Sequence, residues 1–193
     1  MAKVSSTRED MLATAVDLFA ERGYDGIGIA ELLAKSGSPR GSLYFHFPGG
    51  KEQIGTEVVA RVGAEVAARF RGLHDSGVDL ETFIDRVFKT TAKESKERNY
   101  TASCPMAAIA TGFGNGNPKL AAAVRGAFAS WEAEIRTAAK ARGMTDANAS
   151  VFASAMLAAM EGAFVTSKAL ESSDPHKNAG RAIKALANAL LPN

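Results

Sequence analysis

The sequence predicts an all-α protein of about nine helices, and two observations support that prediction. Apolar residues recur every three or four positions through most of the 193 residues, which is the spacing of one helix face. No segment alternates between apolar and polar residues as a half-buried strand does. Glycine, proline and N-capping residues divide the periodic stretches, so we expect three short helices before Gly49 and longer ones after it.

The composition is that of a folded protein, with 46% hydrophobic and 23% charged residues. The net charge of +2 is too small to indicate a nucleic-acid partner by itself. Between Glu31 and Glu52, however, there is no acidic residue, and that stretch holds Lys35, Arg40 and Lys51. A field that attracts DNA would therefore be local rather than global.

Cysteine usage and hydropathy predict a cytoplasmic protein that is not associated with a membrane. A single cysteine, Cys104, allows no intrachain disulfide and fits a reducing compartment. The N-terminus lacks the uninterrupted apolar stretch of a signal peptide. The longest apolar runs, such as the one from Ala155 to Met160, fall far short of the ~20 residues of a membrane span.

The first helix is expected to begin at Ser6 and to end near Gly23. Glu9 follows Ser6 by three residues, which is the pattern of a capping box. Leu12 and Phe19 belong to the apolar stripe of this helix and predict which face of it is buried.

Two short helices with a glycine between them are expected next. The first runs over about Ile29 to Lys35, and Gly37 ends it. Ser38 is a good N-cap, and Pro39 suits the first position of the second helix, where its missing N–H costs nothing. That second helix is expected to reach about Phe45.

Two short helices joined by a turn that contains glycine are the outline of a helix-turn-helix. In that unit the second helix enters the major groove of DNA, and its first residues reach the base edges. Arg40 can donate two hydrogen bonds to a guanine, Gly41 permits a close approach, and Ser42 can contact a base or a phosphate. The pattern therefore predicts a DNA-binding unit.

Longer helices are expected after the Pro48–Gly50 turn, with one further short helix that begins at Cys104–Pro105. The expected starts are Lys51, Leu80, Cys104–Pro105, Asn117–Pro118, Asp146 and Asp174–Pro175. A polar stretch from Lys93 to Thr101 is expected to follow the helix that begins at Leu80. Gly143 is expected to end the helix that begins at Pro118.

Several short motifs in this chain belong together in a known family. They are Leu18-Phe19-x-x-x-Gly23-Tyr24, Gly41-Ser42-Leu43-Tyr44-x-His46-Phe47, Phe47-Pro48-Gly49-Gly50-Lys51, Ser103-Cys104-Pro105 and Phe128-x-x-Trp131. The N-terminal motifs resemble the TetR/AcrR transcriptional repressors. The turn after Phe47, longer than usual by about a residue, and the two C-terminal motifs resemble the LmrA/YxaF-like branch of that family.

The resemblance implies a dimeric transcriptional regulator that binds palindromic double-stranded operator DNA and is released by a small-molecule effector. Residues 1–50 would form a three-helix helix-turn-helix domain, and residues 51–193 a helical bundle for ligand binding and dimerisation. Whether the regulator represses or activates is not determined by the sequence.

The resemblance also implies roles for single residues at the DNA. Arg40 and Ser42 would contact bases, while Tyr44, His46 and Lys51 would contact phosphates. Many relatives have Thr or Ser where this chain has Gly28, which can offer only its backbone N–H. The DNA-binding residues expected in this way are Gly28, Ser38, Pro39, Arg40, Gly41, Ser42, Tyr44, His46 and Lys51.

Aromatic and methionine residues interspersed with small residues after residue 69 predict a cavity for an apolar or aromatic effector. The candidate lining residues are Phe70, Phe88, Tyr100, Cys104, Phe113, Phe128, Trp131, Phe152, Met156 and Met160. Ordinary core packing is the alternative for each of them. For Cys104, which precedes a proline at a helix start, redox activity is a further alternative.

The last two helices have alanine-rich faces that allow close contact between helices. These faces consist of Ala155, Ala159, Ala163, Ala182, Ala185 and Ala189. In the family that the chain resembles, this pair of helices forms a four-helix dimer interface, and a two-fold dimer matches a palindromic operator. Packing within a single chain is the alternative.

Enzymatic function is the first competing interpretation, and the motifs speak against it. There is no Glu-x-x-His pair, no P-loop, and no zinc-type spacing of His and Cys. We therefore expect no catalytic residue, no metal and no cofactor. The second competitor is a helical carrier or sensor of small molecules with a weakened DNA-binding unit, an interpretation that Gly28 mildly favours.

Overall fold

The computed structural model describes residues 2–112 and 117–192, with side chains from residue 7 onward. Within those ranges the chain forms nine α-helices and one 3₁₀-helix and contains no strand, which confirms the all-α prediction. The N-terminal elements are α1 (Ala2–Arg22), α2 (Ile29–Ser36), a 3₁₀-helix (Arg40–Ser42) and α3 (Leu43–His46). The remaining helices are α4 (Gly50–Asp75), α5 (Leu80–Glu97), α6 (Pro105–Gly112), α7 (Pro118–Lys140), α8 (Asp146–Leu170) and α9 (Asp174–Leu190).

Helix α1 starts earlier than the sequence predicted. It begins at Ala2 and is 21 residues long, so Ser6 lies inside the helix, the capping-box interpretation is wrong, and α1 is not short. No proline or glycine lies between Ala2 and Ser6, and the helix therefore extends through them. Its end is as predicted: Gly23 takes a φ of 72°, and its N–H binds the carbonyl of Phe19 at 2.8 Å.

The turn between α2 and α3 differs in its capping. Gly37 ends α2 in the left-handed conformation (φ 65°), as predicted. Pro39 is extended and occupies the N-cap position, because its carbonyl accepts the N–H of Ser42 at 3.0 Å. Ser38 is therefore not the N-cap, and its hydroxyl accepts a hydrogen bond from that of Ser36 at 3.0 Å. The predicted single helix is a 3₁₀-turn followed by one α-helical turn.

Helix α5 extends into the stretch that was predicted to follow it. It continues to Glu97 because Lys and Glu are good helix formers, and Lys93 pairs with Glu97 one turn later at 3.6 Å. It ends where Asn99 and Tyr100 both take positive φ values. Helix α7 ends at Lys140, three residues before Gly143, which takes a φ of 96° after a short turn.

The chain divides into two compact units, and each is discontinuous in sequence. The first contains Met1–Gly63 and Cys104–Ala127, and the second contains Ala64–Ser103 and Phe128–Asn193. Helices α4 and α7 contribute residues to both units. The expected division of roles between residues 1–50 and 51–193 concerns function and stays a prediction.

In the first unit, α1 packs against both α2 and α6. Its core consists mainly of Met11, Leu12, Ala15, Leu18, Phe19, Tyr24, Leu33, Leu43, Phe47, Ile54, Val58, Met106 and Ile109. The close packing of α6 depends on Gly23, where a Cβ would lie 2.9 Å from the carbonyl oxygen of Ala108. The helix-turn-helix is therefore built on a core that includes a helix from later in the sequence.

In the second unit, α8 packs against α9 and α5, and α5 also packs against α9. By length and composition alone α8 could cross a membrane, since its most apolar 18 residues have a mean hydropathy of 1.5. The core of this unit accounts for that apolar character, because Phe152, Met156, Met160 and Phe164 of α8 are buried within it.

Candidate nucleic-acid interface

Helix α3 is anchored to the core by one face and exposes the other. Leu43 and Phe47 lie four residues apart and are fully buried, and the guanidinium of Arg8 lies 4.9 Å from the centre of the Phe47 ring. Tyr44 and Phe45, between them, are 62% and 74% exposed. The predicted recognition helix therefore presents its outward side chains to solvent from a rigid base.

The candidate base-reading residues lie together at the start of this helix. Pro39, Arg40 and Gly41 are exposed, and Ser38 and Ser42 are half-buried. The Ser42 hydroxyl donates to the carbonyl of Pro39 at 2.7 Å, so that its lone pairs are left to accept a hydrogen bond from an external donor.

Nothing within the described chain requires a glycine at position 41. Gly41 is not among the glycines with positive φ, and a Cβ built on it would meet no atom within 4 Å. The same space is open around Gly28, the N-cap of α2, which forms no side-chain cap. At both positions a larger residue would fit the free protein.

Lys51 lies in the first turn of α4, and the first unit holds its side chain in place. Its ammonium lies 4.3 Å from the centre of the Tyr24 ring, a cation–π contact. Partial burial lowers the pKa of Lys51, and the Asp25 carboxylate opposes this. Burial, together with Glu52 and Asp25, raises the pKa of Tyr24, which therefore stays neutral. The arrangement can present one cation at the helix N-terminus.

A chain of hydrogen bonds that the sequence analysis did not predict connects the turn before α4 to α1. The N–H of Gly49 donates to Gln53 Oε1 at 2.9 Å, and Gln53 Nε2 donates to Glu57 Oε1 at 3.0 Å. Glu57 in turn forms an ion pair with Arg8 at 2.5 Å. Gln53 and Glu57 are one turn apart on α4, and that spacing was the available signal.

His46, the remaining candidate for a phosphate contact, is half-buried, and its ring meets the edge of the Phe45 ring at 5.1 Å between centroids. Lys35, which is not among the expected DNA contacts, is an exposed residue of α2 whose ammonium lies 3.9 Å from a carboxylate oxygen of Glu21.

Most candidate ligand-lining residues belong to the second unit. Six of them are buried: Phe70, Phe88, Trp131, Phe152, Met156 and Met160. Tyr100 and Phe128 are half-buried, and the Phe128 ring contacts the Trp131 ring edge-on at 5.4 Å. Cys104 is buried in the first unit, and Phe113 lies outside the described residues. That these residues line a cavity stays a prediction.

The interior of the second unit also contains a polar cluster that the sequence analysis missed. His176 of α9 is fully buried, with its Nδ1 3.0 Å from Thr91 Oγ1 and its Nε2 2.9 Å from Ser95 Oγ, both on α5. The Thr91 hydroxyl donates to the carbonyl of Phe88, so it accepts from Nδ1–H, and Nε2 accepts from Ser95. Burial lowers the pKa of His176 to about 4.

The alanines expected at a dimer interface differ in exposure. Ala182, Ala185 and Ala189 are exposed on α9. On α8, Ala155 and Ala159 are half-buried and Ala163 is buried within the chain itself. Four exposed apolar residues of α8 lie on one side of the helix beside that stripe: Val151, Ala158, Val165 and Ala169. Leu170, the last residue of α8, is exposed as well.

Within residues 2–112 and 117–192, no group of three or more His, Cys, Asp or Glu side chains is placed to hold a metal ion.

Comparison with known proteins defines the class to which this fold and this interface belong. Residues 11–58 match the family model of bacterial regulatory proteins of the tetR family. Residues 81–182 match the model described as transcriptional regulator LmrA/YxaF-like, C-terminal domain. The chain therefore belongs to the TetR family of bacterial transcriptional regulators, and its C-terminal domain is of the LmrA/YxaF-like type. Members of this family bind operator DNA and dimerise.

Individual relatives resemble nearly the whole chain. The HTH-type transcriptional regulator LmrA of Bacillus subtilis is 26% identical over 169 residues, covering 88% of this chain and 90% of that protein. The regulator YxaF of the same organism is 28% identical over 167 residues, covering 86% and 87%. A crystal structure of a TetR transcriptional regulator from Chloroflexus aurantiacus superposes with a TM-score of 0.76 at 29% identity, covering 97% of this chain and 96% of that one.

Proposed function

We propose that this protein is a ligand-responsive repressor that binds a palindromic operator as a homodimer and is released by a small apolar or aromatic effector. The observation that supports it best is the outward face of the helix-turn-helix. Arg40, Gly41 and Tyr44 are exposed there, while Leu43 and Phe47 fasten the same segment to the core.

Base recognition is assigned to the start of the recognition segment. The exposed Arg40 has the donors to bind the O6 and N7 atoms of a guanine, which is worth about 1–3 kcal/mol of discrimination. Ser42 accepts from a base amino group, because its own proton is bound to Pro39. Gly41 and Pro39 allow this backbone to lie close to the bases, and nothing inside the described chain requires a glycine at position 41.

Phosphate contacts position the protein on the duplex and are independent of sequence. Tyr44 donates a hydrogen bond from its exposed hydroxyl to a phosphate oxygen, and His46 contacts the DNA backbone from the end of the same helix. Lys51 contributes its ammonium, which the Tyr24 ring already holds at the start of α4. At Gly28 only the backbone N–H groups at the start of α2 are offered.

Effector binding is assigned to the second unit, where aromatic and methionine side chains are concentrated. An effector releases DNA only if it binds the two states of the protein with different affinity. We propose that it shifts α4 and thereby alters the spacing of the two recognition helices, which must match half-sites about 34–36 Å apart. Operator affinity measured with and without a bound effector tests this, and equal affinities would refute it.

The experiment that tests DNA recognition is a selection of oligonucleotides from a random pool by the purified, effector-free protein, followed by binding of the selected duplex. Arg40→Ala should lower affinity for that duplex about 10-fold or more and flatten the preference over a single-base variant. Lys35→Ala, also a truncated cation but on α2, is the matched control. An unchanged preference in Arg40→Ala would remove Arg40 from the reading role.

A carrier or sensor of small molecules with a weakened DNA-binding unit is the second candidate, supported by the missing side-chain cap at Gly28. Salt dependence separates the two functions. The logarithm of operator affinity falls by about 0.9 per neutralised phosphate for each tenfold increase in salt, whereas a carrier's affinity for an apolar ligand changes little. A wild-type protein that prefers no duplex but binds an apolar ligand would favour the carrier.

A further inference from the structure

Phe45 is the most exposed large apolar side chain in the described part of the protein, with 74% of its surface open to solvent. Among the aromatic contacts of the described residues, the Phe45 ring takes part in one, an edge-on contact with the neighbouring His46 ring. An apolar ring exposed to this extent is stabilised by burial only when a partner covers it. The structure therefore presents an apolar surface that the free chain does not use.

The direction of the ring follows from the helix geometry. Leu43 and Phe47 are fully buried and define the inner side of α3, and Phe45 is midway between them in sequence, so that it points to the opposite side. Gly41 precedes Phe45 by four residues and is exposed as well. A Cβ on Gly41 would meet nothing within 4 Å, so the described chain leaves open space at this position as well.

The proposed function places this outward side in the major groove of the operator. Base edges in the major groove present hydrogen-bond donors and acceptors and one apolar group, the C5-methyl group of thymine. Arg40 and Ser42 supply the polar contacts of the segment, and the phenyl ring has no donor or acceptor for the others. A thymine methyl is the group in the groove that a phenyl ring matches.

We propose that Phe45 is a specificity-determining residue that contacts the C5-methyl group of a thymine in each half-site of the operator. This inference rests on the proposed function and deepens it, because it names one base and one group that the protein reads. Phe45 distinguishes thymine from cytosine by the methyl group alone, while Arg40 reads a guanine by hydrogen bonds.

The test uses the duplex selected from a random pool by the wild-type protein, with each thymine replaced in turn by deoxyuridine. This replacement removes the methyl group and leaves base pairing intact. For the wild type, deoxyuridine at one position of a half-site should weaken binding about fourfold, the equivalent of one buried methyl group. In Phe45→Ala the unmodified duplex should bind at least about fourfold more weakly per half-site, and deoxyuridine at that position should cost nothing further.

Two control variants separate a direct contact from an indirect one. Phe45→Leu keeps an apolar side chain and should retain most of the response to deoxyuridine. His46→Ala removes the ring that Phe45 contacts together with a proposed backbone contact, so it should weaken binding to every duplex by a similar factor. The ratio of affinities for the unmodified and the deoxyuridine duplex should stay as in the wild type, because Phe45 does not act only by placing His46. Because Phe45 is exposed, Phe45→Ala should melt at the wild-type temperature.

Two results overturn the inference without touching the proposed function. In the first, Phe45→Ala responds to deoxyuridine as the wild type does. In the second, it binds every duplex more weakly by the same factor, as a contact with the sugar–phosphate backbone would cause. If the wild-type protein itself prefers no duplex over another, the proposed function fails, and the assignment of Phe45 fails with it.

Discussion

The DNA contacts that we propose for single side chains depend on which of their polar atoms are left free inside the protein. The Ser42 hydroxyl donates to the carbonyl of Pro39 and is left to accept a hydrogen bond, and the Lys51 ammonium lies over the Tyr24 ring. His176 is the opposite case, because both ring nitrogens are used inside the protein. Polar side chains of this protein therefore differ in the role we propose for them according to whether their donors and acceptors are already used inside the protein.

Lys51→Ala should weaken binding to all duplexes by a similar factor and leave the sequence preference unchanged. Phosphates are present at every site, so loss of the phosphate contact that we propose for Lys51 should make the slope of log affinity against log salt shallower by about 0.9 for each phosphate that is no longer neutralised. Titration of the selected and a scrambled duplex at several salt concentrations checks this. Lys35→Ala is the control, and weaker binding to the selected duplex alone would contradict the assignment.

His176→Gln should remove part of the pH dependence of stability. Burial lowers the pKa of His176 from 6.5 to about 4, so between these values the unfolded chain binds a proton that the folded chain does not. The contribution of neutral, buried His176 to the free energy of unfolding is fully present above about pH 6.5 and falls as the pH drops toward 4. The loss amounts to at most about 3 kcal/mol.

Urea unfolding of wild type and His176→Gln between pH 7.5 and 4, at equal protein concentration, measures this contribution. The stability advantage of the wild type should shrink as the pH falls through this window. A constant difference between the two proteins across the window would show that His176 does not titrate in the way its burial implies.

At the scale of helices, local signals and tertiary contacts decide different things. The end of α1 at Gly23 and of α2 at Gly37 could be predicted from glycine alone, because both residues take a positive φ. The start of α1 and the end of α5 could not, since polar residues that favour helix look the same at a helix end and on an exposed helix face. Whether Pro39 is the N-cap or the first residue of the helical turn depended on which carbonyl accepts the first hydrogen bond of that turn, and this carbonyl is the one of Pro39.

Two of the glycines of helix α4, Gly55 and Gly72, lie in contrasting surroundings, and their substitution by alanine should have opposite effects. A Cβ on Gly55 would lie 2.8 Å from the Tyr24 ring and 3.3 Å from a methyl group of Leu120, whereas one on Gly72 would meet nothing within 4 Å. Gly55→Ala should lower the free energy of unfolding by about 1–2 kcal/mol through overpacking. Gly72→Ala should raise it by about 0.5–1 kcal/mol through helix propensity.

Thermal or urea unfolding of both variants measures these effects, and Gly72→Ala serves as the matched control within one helix. Gly55→Ala should also weaken DNA binding, because displacing the Tyr24 ring moves the ammonium of Lys51 that lies over it. A more stable Gly55→Ala protein would show that Tyr24 can move aside at no cost.

At the scale of the whole molecule, the chain separates into two units that the order of residues does not reveal. Helix α6 comes after α5 in the sequence, yet it packs against α1 in the first unit. A boundary placed at residue 50 by motif alone describes where the helix-turn-helix ends and does not describe which helices share its core. The family to which the chain belongs dimerises, and a two-fold dimer places two helix-turn-helix units on one palindrome.

The exposed apolar side of α8 should take part in that dimer. Val165→Glu places a charge on this side, where Val165 is 56% exposed, and should convert the dimer into a folded monomer. Operator affinity should then fall by about 100-fold or more, since a monomer engages only one of the two half-sites. Thr90→Glu, at an exposed β-branched residue of α5, is the matched control.

Sedimentation or light scattering gives the oligomeric state of both variants, and circular dichroism confirms their helical content. A Val165→Glu protein that remains dimeric with wild-type operator affinity would place the interface elsewhere, for example on the exposed alanines of α9.

The amino-acid sequence by itself determined the class of fold, the approximate helices, and the segment that would meet DNA. Each of these depends on residues close together in the chain: helical periodicity, the glycines and prolines at helix ends, and the compact run from Ser38 to Phe47. Leu43 and Phe47 are four residues apart, which is the spacing of one helix face, and both are fully buried.

Only the tertiary structure decided which side chains are free to act. The pairing of His176 with Thr91 and Ser95, the chain from Gly49 to Arg8, and the burial of Ala163 within its own chain all join or cover residues from separate helices. Local sequence patterns do not contain such contacts, because packing between helices depends on how the whole set of apolar faces is buried at once. The exposure of Phe45 likewise depends on packing between helices, because it requires that no other helix in the described chain covers the ring.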